Sequence, residues 1–145
     1  MTLQITIDAL TTTAKATPRL VHSPYKGEEG SLRGHCYVIC EAVSQCFRWL
    51  KPAYLNHESW PEGLAPGETH WFLVNECESN QDGAPYWIPK FVDPTAEQFD
   101  GLEIPYSKGK RCGYLTSEPS RRCMDLLRKT GLFDERGDRV WTWEG

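Results

Sequence analysis

Apolar and small residues recur at Cys36, Ile39, Cys40, Val43, Cys46, Phe47 and Leu50, in the three- and four-residue steps of a helix that buries one stripe. Pro52 is expected to stop this helix, and the Gly30, Ser31 and Gly34 positions ahead of it let the chain turn, which puts Cys36 in or near the first turn. At the start of the chain Leu3, Ile5 and Ile7 alternate with polar residues, the pattern of a short half-buried strand. Residues 11–30 carry Thr, Pro, Gly and charge without a period and read as a loop or ordered arm, and residues 56–68, with Pro61, Gly63, Pro66 and Gly67, as a crossing loop.

Residues 70–74 and 86–92 are aromatic and β-branched runs separated by a polar, glycine-containing stretch, which predicts a long-looped antiparallel hairpin. Pro89 assigns part of its second strand to a sheet edge. After a loop over residues 101–113, Thr116 or Ser117 can cap a second helix with Pro119 in its first turn, Leu126 and Leu127 facing inward and Gly131 ending it. The expected fold is α+β in a single domain: an N-terminal strand and arm over residues 1–30, a core over 31–131 and a tail over 132–145, with the cysteine-bearing helix packed on an antiparallel sheet.

With 145 residues and 39% hydrophobic content the chain is long enough to bury one core. Sixteen Lys and Arg against 20 Asp and Glu give a net charge of −4, which disfavours binding to a phosphate backbone. Apolar runs fall far short of the roughly 20 residues that span a bilayer, so no membrane association is expected. The first ten residues lack the basic and apolar regions of a secretory signal, so a reducing, cytoplasmic setting is expected, and the six cysteines are expected to be thiols. No metal is expected, since Cys-x-x-Cys and His-x-x-x-His spacings are absent, and no organic cofactor, since no phosphate-binding glycine loop is present.

Three residues on three elements point to chemistry: Cys36 at a helix start, His70 entering a strand and Asp93 leaving the next. A thiol is a nucleophile as thiolate, which the free N–H groups and partial positive charge of a helix N-terminus favour. A histidine can take the thiol proton and later return it to a leaving group, while a carboxylate fixes its tautomer. On an antiparallel hairpin the start of one strand and the end of its partner lie together, so His70 and Asp93 can meet. Cys40, one turn deeper, has less benefit from the helix terminus than Cys36, and His35 points away from its neighbour Cys36, which suits it to substrate contact or packing.

The blocks Gly34-His35-Cys36-Tyr37, Thr69-His70-Trp71 and Asp93-Pro94-Thr95-Ala96-Glu97-Gln98-Phe99 resemble the transglutaminase-like and papain-like cysteine superfamily. With Gly113-Tyr114-Leu115-Thr116 and Pro119-Ser120-Arg121-Arg122 they also resemble a group of small phage and bacterial proteins, which would place the chain in the cytoplasm of a bacterial host. The resemblance implies a papain-like core in which Cys36 is the nucleophile, His70 the base and Asp93 the orienting acid. It does not select a substrate, because such folds serve peptidases, amidases, deamidases, acyl transferases and inactive binding proteins.

Gln98 can donate to an oxyanion or substrate carbonyl, Trp71 is expected near the site because it adjoins His70, and Tyr106 joins Tyr86 and Trp87 as candidate walls of a groove. Lys110 and Arg111, with Lys108 and Arg128 and the helix-start residues Ser120, Arg121 and Arg122, are candidates for an anion site. The expected activity is a cysteine hydrolase or acyltransferase acting on an amide, thioester or isopeptide bond of a protein or small molecule. The alternatives are a phage-encoded binding or inhibitory protein on the same fold, and a binder of an anion or nucleotide.

Overall fold

The computed structural model describes residues 2–17, 35–76, 89–114 and 117–140. Among the described residues three α-helices, α1 (Leu3–Lys15), α2 (Cys36–Cys46) and α3 (Arg121–Lys129), accompany four strands, β1 (Leu50–Asn56), β2 (Thr69–Asn75), β3 (Phe91–Val92) and β4 (Lys110–Arg111). The strands form one antiparallel sheet in the order β3-β2-β1-β4, so the fold is α+β. Among the described residues no helix is long and apolar enough to cross a membrane.

The strand expected from Leu3, Ile5 and Ile7 is instead the start of α1. Ile7, Leu10 and Ala14 are buried and Leu3 packs against them, a helical stripe, while Ile5 is 55% exposed. Thr2 caps the helix by accepting the Ile5 N–H at 3.2 Å. The first thirty residues are therefore not only an arm, because α1 shares the main core with α2, α3, Leu50, Leu73 and Val92 on one face of the sheet.

Helix α2 ends at Cys46, short of the expected Leu50, and the chain turns at once into β1. Pro52, expected to stop the helix, lies inside this strand opposite Leu73. It is tolerated because its carbonyl, on the same side as its ring nitrogen, faces the β4 side and accepts from the Cys112 N–H and from Arg111. The one strand hydrogen bond that the proline nitrogen cannot make is the reciprocal one to the Cys112 carbonyl, which accepts from Arg111 at 2.8 Å instead.

The opposite face of the sheet carries a second apolar cluster. Ala53, Leu55, Phe72 and Val74 pack there with Trp60 and Leu64 from the crossing loop and with Phe91, Phe99, Ile104 and Tyr106. Gly109 allows this closure, since a Cβ there would stand 2.4 Å from Phe72 Cζ.

The predicted hairpin is present as β2 and β3, with Leu73 opposite Val92 and Val74 opposite Phe91. Its connection, including Tyr86 and Trp87, lies outside the described residues, as do Gly30 to Gly34 and Thr116. Helix α3 is capped not by Ser117 but by Ser120, whose hydroxyl accepts the Cys123 N–H at 3.1 Å, so Pro119 precedes the helix. Gly131 ends it with φ +79°, the left-handed conformation glycine adopts without strain.

Candidate functional site

Strand β3 is two residues long and pairs only with the distal half of β2, so among the described residues the first half of β2 has no strand on that side. Asp93 leaves β3 there, and the chain folds back through a 3-10 turn, Ala96–Phe99, over the start of β2. Cys36, the first residue of α2, reaches the same place from the helical face, its Sγ 3.9 Å from the carbonyl of Thr69. Helix start, strand start and strand end thus converge at one end of the sheet.

The contacts within this corner are specific. His70 Nε2 donates to Asp93 Oδ2 at 2.7 Å, and the side chain of Cys36 also hydrogen-bonds His70, which leaves Nδ1 as the nitrogen on the sulfur side. Asp93 is held in turn. Its Oδ2 accepts from Tyr106 Oη at 2.8 Å and its Oδ1 from the Thr95 N–H at 3.2 Å. The Phe99 ring stands edge-on to the imidazole, with centroids 4.7 Å apart.

The pair is dry: the side-chain exposure is 0% for His70 and 4% for Asp93. Burial by itself disfavours a charged imidazole, but the hydrogen bonds to Asp93 and Cys36 and the charges of both groups outweigh it, and the His70 pKa is raised to about 9. His70 therefore holds its proton at neutral pH. Cys36 keeps 8% exposure, whereas Cys40 has none. Burial pushes the Cys40 thiol well above the ordinary range, reinforced by the charges of Asp93 and Cys36. Of the two helix thiols, only Cys36 combines contact with the imidazole, residual access and a place in the first turn, where backbone N–H groups have no intrahelical partner.

Other expected residues fall differently. Trp71 adjoins His70 in the strand, but alternation sends its ring to the other face, against Tyr37, Tyr54 and Tyr114. Tyr106, expected as a groove wall, donates to Asp93 and packs its ring against Phe72 and Phe91. Gln98 does lie at the imidazole, with Nε2 3.4 Å from His70 Nδ1. His35 is buried with no hydrogen-bond partner for Nδ1, and burial followed by the charge of Arg122 lowers its pKa to about 4. It is neutral at pH 7.

The basic residues are divided between elements. Lys110 and Arg111 form β4 at the sheet edge, where Arg111 donates to the carbonyls of Pro52 and Cys112 and pairs with Glu76. Arg121 and Arg122 open α3, and Arg128 lies 4.0 Å from Asp125. The start of α3 already holds an anion of the protein's own. Glu41, 1% exposed, accepts from the Ser120 N–H at 2.9 Å and from Ser120 Oγ at 2.6 Å. Sequence reasoning missed Glu41, although it is the one charged residue within α2, a helix buried along almost its whole length.

No family model, curated protein or solved structure matches the chain. Among the described residues the cysteines Cys36, Cys40, Cys46, Cys112 and Cys123 are free thiols, Cys77 lying outside them. Also among the described residues, no cluster of three His, Cys, Asp or Glu side chains could hold a metal ion.

Proposed function

We propose that the protein is a cysteine acyl hydrolase or acyltransferase of papain-like design, acting through Cys36, His70 and Asp93. The observation that carries this reading is the buried His70–Asp93 hydrogen bond of 2.7 Å, joined to a thiol at the first residue of a helix. Such a pair has a cost in desolvation that packing alone would not require, and it leaves the second imidazole nitrogen directed at the sulfur.

In the proposed reaction the Cys36 thiolate attacks the carbonyl carbon of an amide, thioester or isopeptide, forming a C–S bond. The carbonyl electrons move to oxygen, where the positive end of the α2 dipole beside Cys36 can stabilise them. On collapse of the tetrahedral species the bond to the leaving group breaks, and that group takes the Nδ1 proton of His70. His70 then accepts a proton from water or an acceptor amine as that nucleophile attacks the thioester, and the C–S bond breaks to regenerate the thiolate. Asp93 stabilises the imidazolium and fixes the ring through Nε2; Tyr106 and the Thr95 N–H fix Asp93.

The test uses p-nitrophenyl acetate and iodoacetamide with mass spectrometry of the intact chain. One acetyl or carbamidomethyl group is expected on Cys36 well before Cys40, with acetylation lost in Cys36→Ser and reduced at least a hundredfold in His70→Ala. Equal slow labelling of the cysteines would overturn the reading. The 8% exposure of Cys36 is also compatible with a binding protein on the same framework, for which Cys36→Ala would keep full biological activity.

A further inference from the structure

The turn that carries Asp93 holds both nitrogens of one imidazole. Asp93 takes Nε2, and five residues on Gln98 Nε2 lies 3.4 Å from Nδ1 while donating to Thr95 Oγ1 at 2.9 Å. Thr95 is fully buried, and its N–H in turn holds Asp93 Oδ1. Gln98 is half-buried and so remains within reach of a bound molecule.

An amide is suited to this position because its two ends match the two states of Nδ1. The arrangement present here, with the NH2 end toward Nδ1 and the Thr95 hydroxyl oxygen, suits an Nδ1 lone pair, the state His70 reaches when it has given its proton to the leaving group. When Nδ1 carries a proton, a facing NH2 group would oppose donor to donor. Rotation of the amide by half a turn then brings its carbonyl oxygen to Nδ1–H, the Thr95 hydroxyl reverses from acceptor to donor, and the NH2 group is turned outward. The groups facing His70 are Asp93 after β3, Cys36 of α2, this amide, and the Phe72 and Phe99 rings. Tyr106 acts on it through Asp93.

We propose that Gln98 is a two-state positioning residue whose amide rotates with the proton on His70 Nδ1 and, in the protonated state, lends its NH2 group to the oxyanion formed on the Cys36 adduct. This deepens the reading given above and rests on it for the oxyanion. The consequence is timing: the extra donor faces the substrate when His70 holds the proton needed by the leaving group.

The test compares wild type with Gln98→Glu, Gln98→Leu and Thr95→Val, each checked for folding by circular dichroism. A carboxylate can only accept, so Gln98→Glu should raise the His70 pKa, read by imidazole NMR, by at least one unit, a tenfold gain in proton affinity. An unchanged value would overturn the proposal. Acetylation by p-nitrophenyl acetate passes through an oxyanion and should fall about a hundredfold or more in Gln98→Glu and Gln98→Leu. Alkylation by iodoacetamide has no oxyanion and should change less than tenfold. Equal losses in both reactions would overturn the donor role. Thr95→Val, which frees the amide, should show the smaller loss of the same kind, and a wild-type acetylation rate there would also count against the rotation. If wild-type protein is not acetylated at all, the acyl-transfer reading and the oxyanion role fail together, while the NMR result still decides the imidazole contact.

Discussion

Raising the pH from 6.5 to 8.5 should unfold the Cys36→Ala protein, which has no thiolate to offset the effect, more easily, and the amount is bounded by one histidine. His70 has a folded pKa of about 9, against roughly 6.5 in an unfolded chain. Between those values folded His70 holds a proton that the unfolded histidine has lost, so its own contribution falls as pH rises, by about 1.4 kcal/mol per unit; a Cys36 thiolate paired with it carries the opposite contribution, because unfolding returns a proton to that sulfur, and Cys36→Ala removes this offset. The contribution is complete below pH 6.5 and is lost through pH 9; its total is on the order of 3 kcal/mol, with about 2–3 kcal/mol gone by pH 8.5. The buried thiols Cys40, Cys46 and Cys123 also lose stability as their unfolded counterparts ionise near pH 8.5, so the histidine effect is read from the slope below about pH 7.5 and from its loss in Asp93→Asn. The assay is equilibrium urea unfolding at intervals of half a pH unit, where such a change moves the midpoint by about 1–2 M for ordinary slopes. Asp93→Asn removes the strongest group holding the proton and should flatten the curve. A profile flat over this window in Cys36→Ala, or one equally steep when Asp93→Asn is added, would refute the reasoning.

Below pH 6.5 the sign reverses for His35, whose folded value is about 4: the unfolded chain binds the extra proton, so stability should drop as pH falls from 6.5 toward 4, and His35→Asn should reduce that drop in the same urea assay. Glu41→Gln leaves the Ser120 N–H and hydroxyl with a weaker acceptor at the start of α3 and should cost about 1–3 kcal/mol by thermal unfolding. Gly109→Ala should cost about 1–3 kcal/mol by the same measure, because its methyl would meet the Phe72 ring. Tyr106→Phe should cost about 1–2 kcal/mol and loosen Asp93, seen as a fall in p-nitrophenyl acetate turnover larger than any change in iodoacetamide alkylation.

The residues of the corner were legible because each was marked by an element boundary. The periodic stripe from Cys36 fixed where a helix began, and the pairing of two aromatic runs fixed which strand ends met. The N-terminal helix was hidden by a coincidence of periods: residues 3 and 7 lie on one face both of a strand and of a helix, and only Ile5 between them distinguishes the two. Its exposure follows from α1 being helical. Strand β1 was hidden because Phe47 and Leu50 fall at helical spacing after α2 although the helix has ended, and because Pro52 reads as a stop when the sidedness of its missing N–H is unknown.

What sequence patterns could not supply was the direction of polar side chains, and the site depends on that. The sequence spacing of Asp93, Thr95 and Gln98 marks a turn, but whether its carboxylate and amide reach the same imidazole depends on how far β3 extends. Had β3 paired two residues further, Asp93 would have lain opposite Phe72 within the ladder, and the turn could not have closed over His70. A two-residue strand is a weak element by itself, stabilised here because Val92 belongs to the helical core and Phe91 to the cluster on the other face. The shortness of β3 thus opens the edge of β2 while its two side chains anchor the turn, so packing on both faces of the sheet sets the geometry in which one imidazole meets a carboxylate, an amide and a thiol.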